Sequence, residues 1–143
     1  MADQPDPLVE QIGHGLWKMQ RKIVSGMALQ QEMGLTFPQF ALLNMVGFEG
    51  KSRVVQLAEK MEVKPSAITV MLDRLEQMGL ITREQDESDR RAVVVSVTDK
   101  GQKVREEGQR RSKRLLEQYL SPLTHDELER MAALFAKLDE GER

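Results

Sequence analysis

Hydrophobic residues recur every three or four positions near both ends of the chain, which is the spacing of one face of an α-helix. The first such stripe runs from Leu8 to Met27, and the last runs from Leu128 to Leu138. The remaining helical patterns occupy residues 36–50, 52–61, 65–78 and, with a mostly charged surface, 98–120. The pattern therefore predicts a mainly helical chain.

Residues that favour helix ends stand at the boundaries of these patterns. Thr36 with Gln39, and Thr124 with Glu127, have the spacing of a capping box, in which two side chains bond reciprocally to the backbone. Gly34 is expected to end the first helix. The other predicted boundary residues are the N-caps Ser52 and Thr98, the first-turn residue Pro65, and the C-terminal stops Gly50 and Gly79.

After Gly79 the hydrophobic period changes to two, which indicates β-strands. Residues 80–84 and 92–97 are the predicted strands, and the wholly polar residues 85–91 are the predicted loop between them. A hairpin that directly follows a pair of short helices is typical of a winged helix-turn-helix. The predicted fold is therefore mainly α (α+β), a winged helix-turn-helix domain with a two-stranded β wing, flanked by N- and C-terminal helices.

The composition fits one globular domain and excludes several kinds of chemistry. The 143 residues, 40% of them hydrophobic, are enough for one core. The absence of cysteine excludes disulfides, thiolate metal sites and thiol redox switches, and the two histidines lack partners at metal-ligand spacing, so neither a metal nor a cofactor is expected. Residues 1–7 do not resemble a signal peptide, and the longest apolar run is too short to span a bilayer. We therefore expect a soluble cytoplasmic protein.

Residues 57–72 meet the packing requirements of a helix-turn-helix. Ala58 is the small residue needed where the second helix crosses the first, and Ile68 anchors the second helix. Val63 is expected to fill the turn, and Glu62 stands where many such motifs have glycine for a left-handed conformation. Helix pairs without a DNA-binding role share this pattern, so it does not by itself assign a function.

The outward face of the second helix carries short side chains that allow close approach to base edges. Its N-terminal end also offers free backbone amides to phosphate. The candidate DNA-contacting residues are Lys64, Ser66, Ala67, Thr69, Val70 and Arg74. An ordinary solvated face is the alternative, and Asp73 and Glu76 support it.

The polar loop of the hairpin supplies further candidates. Arg90 and Arg91 stand just before the second strand, and arginine suits a narrow minor groove because the negative potential is enhanced there. Asp89 can orient one guanidinium or brace the loop, whereas a surface salt-bridge cluster is the alternative. The net charge of −2 requires that any DNA-binding charge be concentrated on one face.

Three segments resemble the MarR (multiple antibiotic resistance regulator) family, across about half of the chain. They are LTFPQFALL at 35–43, QLAEKMEVKPSAITVMLDRLEQMGLITRE at 56–84 and DRRAVVVSVTDKG at 89–101. The last resembles that family's wing signature, in which an Asp and an Arg two residues later precede a strand that ends in an apolar residue and Thr. The residues that fill those places are Asp89, Arg91, Val97 and Thr98.

The resemblance implies a homodimeric transcription regulator, with repression as the expected effect, that binds a pseudo-palindromic operator in double-stranded DNA. Residues 1–34 and 101–143 would form the dimer, and residues 35–100 would form the winged DNA-binding domain. Family members commonly respond to small lipophilic or phenolic ligands, and Trp17 and Phe40 are the candidates for lining such a cleft here. The absence of cysteine excludes the thiol-oxidising branch of the family.

Carried over by position, the resemblance also implies roles for individual residues. The recognition helix, residues 65–78, would enter a major groove through Ser66, Thr69 and Arg74, while Arg91 would reach the minor groove. Val70 departs from the basic residue of many members, so base preference is not transferred at that position.

Amphipathic helices at opposite ends of so small a chain independently favour a dimer, because one domain cannot easily bury both apolar faces. The candidate interface residues are Leu8, Ile12, Leu16, Leu128, Met131, Phe135 and Leu138. A single six-helix monomer core is the alternative that periodicity leaves open.

An enzyme is not expected, because the sequence has no phosphate-binding glycine loop, no nucleophile beside a base and no paired carboxylates in an apolar setting. A protein-interaction module that keeps the winged fold is the main alternative to DNA binding, and the near-neutral charge and the acidic residues near the recognition helix favour it. DNA binding predicts that Lys64, Arg74, Arg90 and Arg91 share one face, with the neighbouring acidic residues turned away or paired.

Overall fold

Helices dominate the computed structural model, which describes Gln4 and residues 6–141. The parts of the predicted terminal segments at residues 1–3, 5 and 142–143 lie outside the described residues. The elements are α1 (Pro7–Met27), a π-helical turn (Leu29–Met33), α2 (Phe37–Glu49), β1 (Ser52–Arg53), α3 (Val54–Met61), α4 (Pro65–Gln77), β2 (Ile81–Gln85), β3 (Val93–Val97), α5 (Asp99–Leu120) and α6 (His125–Gly141). None of the helices in this part of the chain combines the length and apolar character needed to cross a membrane.

The predicted caps are present at three helix starts. Thr36 and Gln39 form the reciprocal capping box of α2, with N–O distances of 3.2 and 2.9 Å. Thr124 and Glu127 form the same arrangement before α6, at 3.2 and 3.0 Å. The Thr98 hydroxyl caps α5 by accepting a backbone N–H at 3.0 Å. These three predicted boundaries are confirmed. They could be predicted from the sequence because each cap depends on residues only three positions apart.

The first helix is shorter than predicted. α1 ends at Met27 because Ala28 adopts a left-handed conformation (φ 51°), and a π-helical turn follows before Gly34 (φ 69°). On α5, Arg111 donates to the Met27 carbonyl oxygen (3.0 Å) and pairs with Glu32 in the π-helical turn. The prediction of one helix extending to Gly34 is wrong, and these contacts from a distant helix show why the local pattern did not reveal the break.

Residues 52–53 form a strand that the sequence analysis did not predict. Ser52, predicted as the N-cap of α3, pairs with Val95 in β3 instead, and α3 begins at Val54 without a side-chain cap. The sheet order is β1-β3-β2 and both pairings are antiparallel, so the two-stranded wing belongs to a three-stranded sheet. A strand of two residues leaves no alternation for a hydrophobic pattern to reveal.

The helix-turn-helix of α3 and α4 packs largely as the sequence indicated. Ala58 is 2% exposed and Ile68 is fully buried. Glu62 adopts the left-handed conformation of the turn, with φ 54°. Val63 stays about one third exposed, so it fills the turn only in part.

The charged helix α5 connects the winged domain with α1. Gly101 lies against the backbone of Leu80, and Gly108 lies against the ring of Phe40; a Cβ at either glycine would be less than 3.0 Å from its neighbour. Arg105 is buried between these contacts and donates to a carbonyl oxygen of α2 at 3.3 Å. The close packing of α5 on the winged domain therefore depends on the absence of side chains at Gly101 and Gly108.

Candidate nucleic-acid interface

Helix α4 exposes all of the candidate DNA contacts that the sequence places on it. Pro65 begins the helix, and its buried side consists of Ile68, Leu72 and Leu75. The exposed candidates on the remaining surface are Lys64, Ser66, Ala67, Thr69, Val70 and Arg74. All six are accessible to a partner, and their contact with bases stays a prediction.

Two of these candidates differ in what their side chains offer. Val70 is 68% exposed although it is apolar, which leaves its methyl groups free for an apolar partner such as a thymine methyl. The hydroxyl of Thr69 donates to the carbonyl oxygen of Pro65 at 3.0 Å, so its oxygen remains able to accept a hydrogen bond.

The tip of the wing is braced by an acidic side chain. Asp89 accepts a hydrogen bond from the backbone N–H of Arg91 (3.1 Å), and its carboxylate lies 4.0 Å from Arg91 Nε. The Arg91 side chain is nevertheless 97% exposed, and Arg90 is exposed beside it. Asp89 thus stands where a supporting role requires it, and the Arg91 guanidinium remains free to meet a partner.

A second carboxylate fixes the base of the same loop. Asp86 accepts hydrogen bonds from the backbone and hydroxyl of Ser88 (3.1 and 3.0 Å) and from Nε of Arg53 (2.9 Å). The backbone bond from Ser88, followed by the bond from Arg53, lowers the pKa of Asp86 below its ordinary value. Asp86 is therefore charged at neutral pH and links the wing loop to β1.

The acidic residues of α4 are paired with an arginine from the wing. Arg83 on β2 donates to the two carboxylate oxygens of Glu76, both at 3.1 Å, and lies 2.6 Å from a carboxylate oxygen of Asp73. The hydrogen bond from Arg83 lowers the pKa of Glu76, and the two carboxylates raise the pKa of Arg83. The two acidic residues of α4 are therefore paired, as the DNA-binding interpretation requires.

A surface cavity of about 610 Å³ lies between the helix-turn-helix and the wing. It brings together Thr69 from α4 with Asp89 and Arg91 from the wing, and Arg53 and Arg83 also line it. The remaining candidates lie outside this lining; they are Lys64, Ser66, Ala67, Val70, Arg74 and Arg90. Asp73 and Glu76 are thus paired, as DNA binding predicts. The cavity, however, brings together only some of the predicted DNA-contacting residues.

Sequence reasoning missed Arg53 and Arg83. Arg83 was detectable in principle, because strand alternation places it on the same face of β2 as the buried Ile81. A basic residue on an inward-facing position needs an acidic partner nearby. No comparable sequence pattern pointed to Arg53, because the strand that contains it, β1, was not predicted.

Within the part of the chain that the structure describes, the two candidate ligand residues do not share a site. Trp17 is 56% exposed and lines a cavity of about 560 Å³ between α1 and the end of α5. Phe40 is 5% exposed and packs in the core against Gly108. The residues lining the cavity are Trp17, Lys18, Arg21, Lys22, Ser25, Gly26 and Tyr119. The prediction that Trp17 and Phe40 line one cleft is corrected, because α2 buries Phe40 beneath α5.

The candidate dimer residues form exposed apolar surfaces at both ends of the chain. Those on α1 and at the end of α6 are Leu8 (63% exposed), Ile12 (62%), Leu16 (44%), Phe135 (47%) and Leu138 (66%). Leu128 and Met131 are half-buried. The described part of a single chain (Gln4 and residues 6–141) therefore does not cover these side chains, which disagrees with a closed monomer core.

Comparisons with known proteins place this site in a family. The family model described as MarR family matches residues 35–93. The HTH-type transcriptional repressor MdtR of Bacillus subtilis (strain 168) is 40% identical over 134 residues, which cover 93% of this chain and 86% of that protein. The crystal structure of YusO from Bacillus subtilis superposes with a TM-score of 0.72 at 38% identity, covering 96% of this chain and 99% of that one. A mutant MarR from E. coli complexed with operator DNA superposes with a TM-score of 0.73 at 26% identity, covering 92% of this chain and 93% of that one.

Proposed function

Because this chain belongs to the MarR family, we propose that it is a homodimeric transcriptional repressor that binds a pseudo-palindromic DNA operator and is released by a small lipophilic or phenolic ligand. Membership of a family of transcription regulators also bears out the prediction that the chain is not an enzyme. The proposed binding to an operator is consistent with the cytoplasmic location that is expected from the sequence. In this proposal residues 35–100 bind DNA, and residues 1–34 and 101–143 form the dimer interface.

The pairing of Asp73 and Glu76 with Arg83 is the observation that carries the DNA-binding part of the proposal. Among the residues that the structure describes, no ion pair involves Lys64 or Arg74, so these cations are available to phosphates. The near-neutral charge of the chain is therefore no obstacle, because the acidic groups near α4 are already neutralised in part. The interaction-module alternative loses its main support for the same reason.

Each element then has a role in recognition. The N-terminal half of α4 enters the major groove, where Ser66 and Thr69 approach base edges, and Arg74 in the C-terminal half contacts a base or phosphate. Arg91 extends from the wing into the adjacent minor groove, with Asp89 as its brace. The cavity between α4 and the wing accommodates the sugar-phosphate strand that separates the two grooves. The mutant MarR from E. coli that is complexed with operator DNA supports this arrangement by its similar fold.

The exposed apolar surfaces of α1 and α6 support the homodimer. Leu8, Ile12 and Leu16 lie three or four residues apart on one face of α1, and Phe135 and Leu138 do so on α6. Large apolar patches on a small chain usually mark an interface. A two-fold dimer presents two copies of α4 in opposite directions, which matches the symmetry of a palindromic operator.

The cavity beside Trp17 supports the ligand part of the proposal. The Arg21 guanidinium lies 5.3 Å from the centre of the Trp17 ring, and Lys22 Nζ lies 5.8 Å from the centre of the Tyr119 ring. The lining combines two aromatic rings with three basic side chains and contains no acidic residue. This combination suits a small aromatic compound with an acidic hydroxyl group.

Fluorescence anisotropy with DNA fragments tiled from beside the protein's own gene, over a salt series, tests DNA binding. Tight binding to one pseudo-palindromic fragment, at two subunits per site, is expected. Binding to all fragments equally, or to none across the wider neighbourhood of the gene, contradicts a specific repressor at that locus.

Light scattering of the purified protein tests the dimer. Ile12→Glu places a charge on the exposed apolar face of α1 and is expected to shift the mass toward the monomer. Gln11→Glu adds the same charge one position away and serves as the matched control. A wild-type monomer, or an Ile12→Glu protein that remains as dimeric as the control, contradicts the proposed interface.

A further inference from the structure

Arg83 occupies an unusual place for a basic residue of the wing. It lies on the same face of β2 as the buried Ile81, and only about a quarter of its side chain is exposed. Its guanidinium is committed to two carboxylates of α4, at 3.1 Å from both oxygens of Glu76 and 2.6 Å from Asp73. Arg83 therefore bridges the two elements that are proposed to contact DNA.

The two carboxylates lie on the side of α4 that carries Thr69 and Val70, two of the proposed DNA contacts. Asp73 follows Thr69 by four residues and Val70 by three, and Glu76 follows Thr69 by seven. Residues with these spacings share one helix face. Without a partner, both carboxylates would add negative charge beside the DNA that Lys64 and Arg74 are proposed to contact.

The charge balance makes the bridge important for DNA binding. Double-stranded DNA carries one negative charge for every ~1.7 Å of its axis, so two uncompensated carboxylates beside it are strongly repelled. Arg83 neutralises part of this charge and draws both carboxylates toward β2. Arg91, in contrast, lines the same cavity with a side chain that is almost fully exposed.

We propose that Arg83 is a positioning residue that acts on DNA binding through Asp73 and Glu76, as an internal counterion that lets α4 approach the phosphate backbone. This inference rests on the proposed DNA-binding function. Arg83 itself need not contact DNA. Its effect on affinity is electrostatic, and it is independent of base sequence because the repulsion that it removes acts on phosphates.

Anisotropy titrations over a salt series with three variants test this role. Arg83→Gln leaves both carboxylates unpaired and is expected to weaken binding about tenfold at low salt, for the operator and for unrelated DNA alike, with the loss fading as salt rises. The triple variant Asp73→Asn/Glu76→Gln/Arg83→Gln removes the charges together and is expected to return affinity to within about threefold of wild type, with an unchanged salt slope. Arg110→Gln, which removes an arginine paired with Glu107 on α5, is the matched control and should bind as wild type does.

The alternatives give different results. If Arg83 contacts phosphate directly, the triple variant stays as weak as Arg83→Gln and its salt slope falls by about one. If Arg83 only sets the geometry of base recognition, the loss is confined to the operator. Either result overturns the inference, as does an Arg83→Gln protein that binds normally, whereas a wild-type protein that binds no DNA would instead refute the proposed function.

A folding defect is separated from these effects by two further measurements. Thermal unfolding of Arg83→Gln shows whether the variant is folded at the temperature of the titration. Arg83→Lys keeps the positive charge but loses the planar fork, and it is expected to retain most of the affinity. If a folded Arg83→Lys binds as weakly as Arg83→Gln, charge compensation is not the mechanism.

Discussion

The close contact between α5 and the core can be tested at Gly108. A methyl group at this position would lie less than 3.0 Å from atoms of the Phe40 ring. Carbon atoms normally approach to about 3.5–4.0 Å, so the ring or the helix must move by more than ~0.5 Å. Phe40 is almost completely buried, which leaves the ring little freedom to move.

Two opposing contributions determine the effect of Gly108→Ala. Overpacking a core typically costs about 1–3 kcal/mol. Replacing glycine by alanine inside a helix restores about 1 kcal/mol through helix propensity. Gly13→Ala is the matched control, because Gly13 lies within α1 and its added Cβ would have no atom of the described residues within 4 Å. We expect Gly108→Ala to be less stable than Gly13→Ala by about 1–3 kcal/mol, which is the overpacking contribution alone.

Urea unfolding, followed by circular dichroism at one protein concentration, measures both free energies; a dimer requires that the concentration be held constant. A double variant, Phe40→Leu/Gly108→Ala, is expected to be more stable than the sum of the two single changes indicates, because the smaller side chain leaves room for the methyl group. Equal stability of the two alanine variants, or full additivity in the double variant, would refute the packing argument.

The remaining predictions concern DNA binding and acid stability. Arg91→Ala should weaken operator binding by about 1–3 kcal/mol in anisotropy titrations. The unfolding temperature should not fall, because the Arg91 side chain is almost fully exposed. Unchanged affinity would show that the wing does not contribute to DNA binding through Arg91. Thr69→Ala and Arg74→Ala should each change sequence preference in a competition assay, by about 1–3 kcal/mol per lost base contact, whereas an equal loss on all sequences would indicate phosphate contacts. The pKa of Glu76 is below its ordinary value of 4.5 because of Arg83, so its contribution to stability is present above that pH and is lost as the pH falls through the lowered pKa. The Glu76→Gln variant should therefore lose less stability than wild type between pH 5 and 3, as measured by acid titrations followed by circular dichroism. An equal loss of stability in the two proteins over this pH range would contradict this assignment.

Helix boundaries were predictable because a cap depends on neighbours in the sequence. The capping boxes at Thr36 and Thr124 need only a hydroxyl and an acidic or amide side chain three residues later. The end of α1 was not predictable in this way, because Ala28 adopts its left-handed conformation next to contacts made by Arg111, more than 80 positions away.

For the candidate DNA-binding surface, too, some features could be predicted from the sequence and others could not. The exposed face of α4 and the exposed Arg91 followed from helical periodicity and from a polar loop before a strand. Which charges on that surface remain free did not follow, because the pairing of Arg83 with Asp73 and Glu76 joins a strand to a helix across the fold. The sequence by itself determined the elements, their order and their outward faces, since these depend on spacing along the chain. Only the tertiary structure decided which acidic groups are neutralised, that Ser52 belongs to a strand and that Phe40 lies in the core, because each depends on residues that the fold brings together from distant positions.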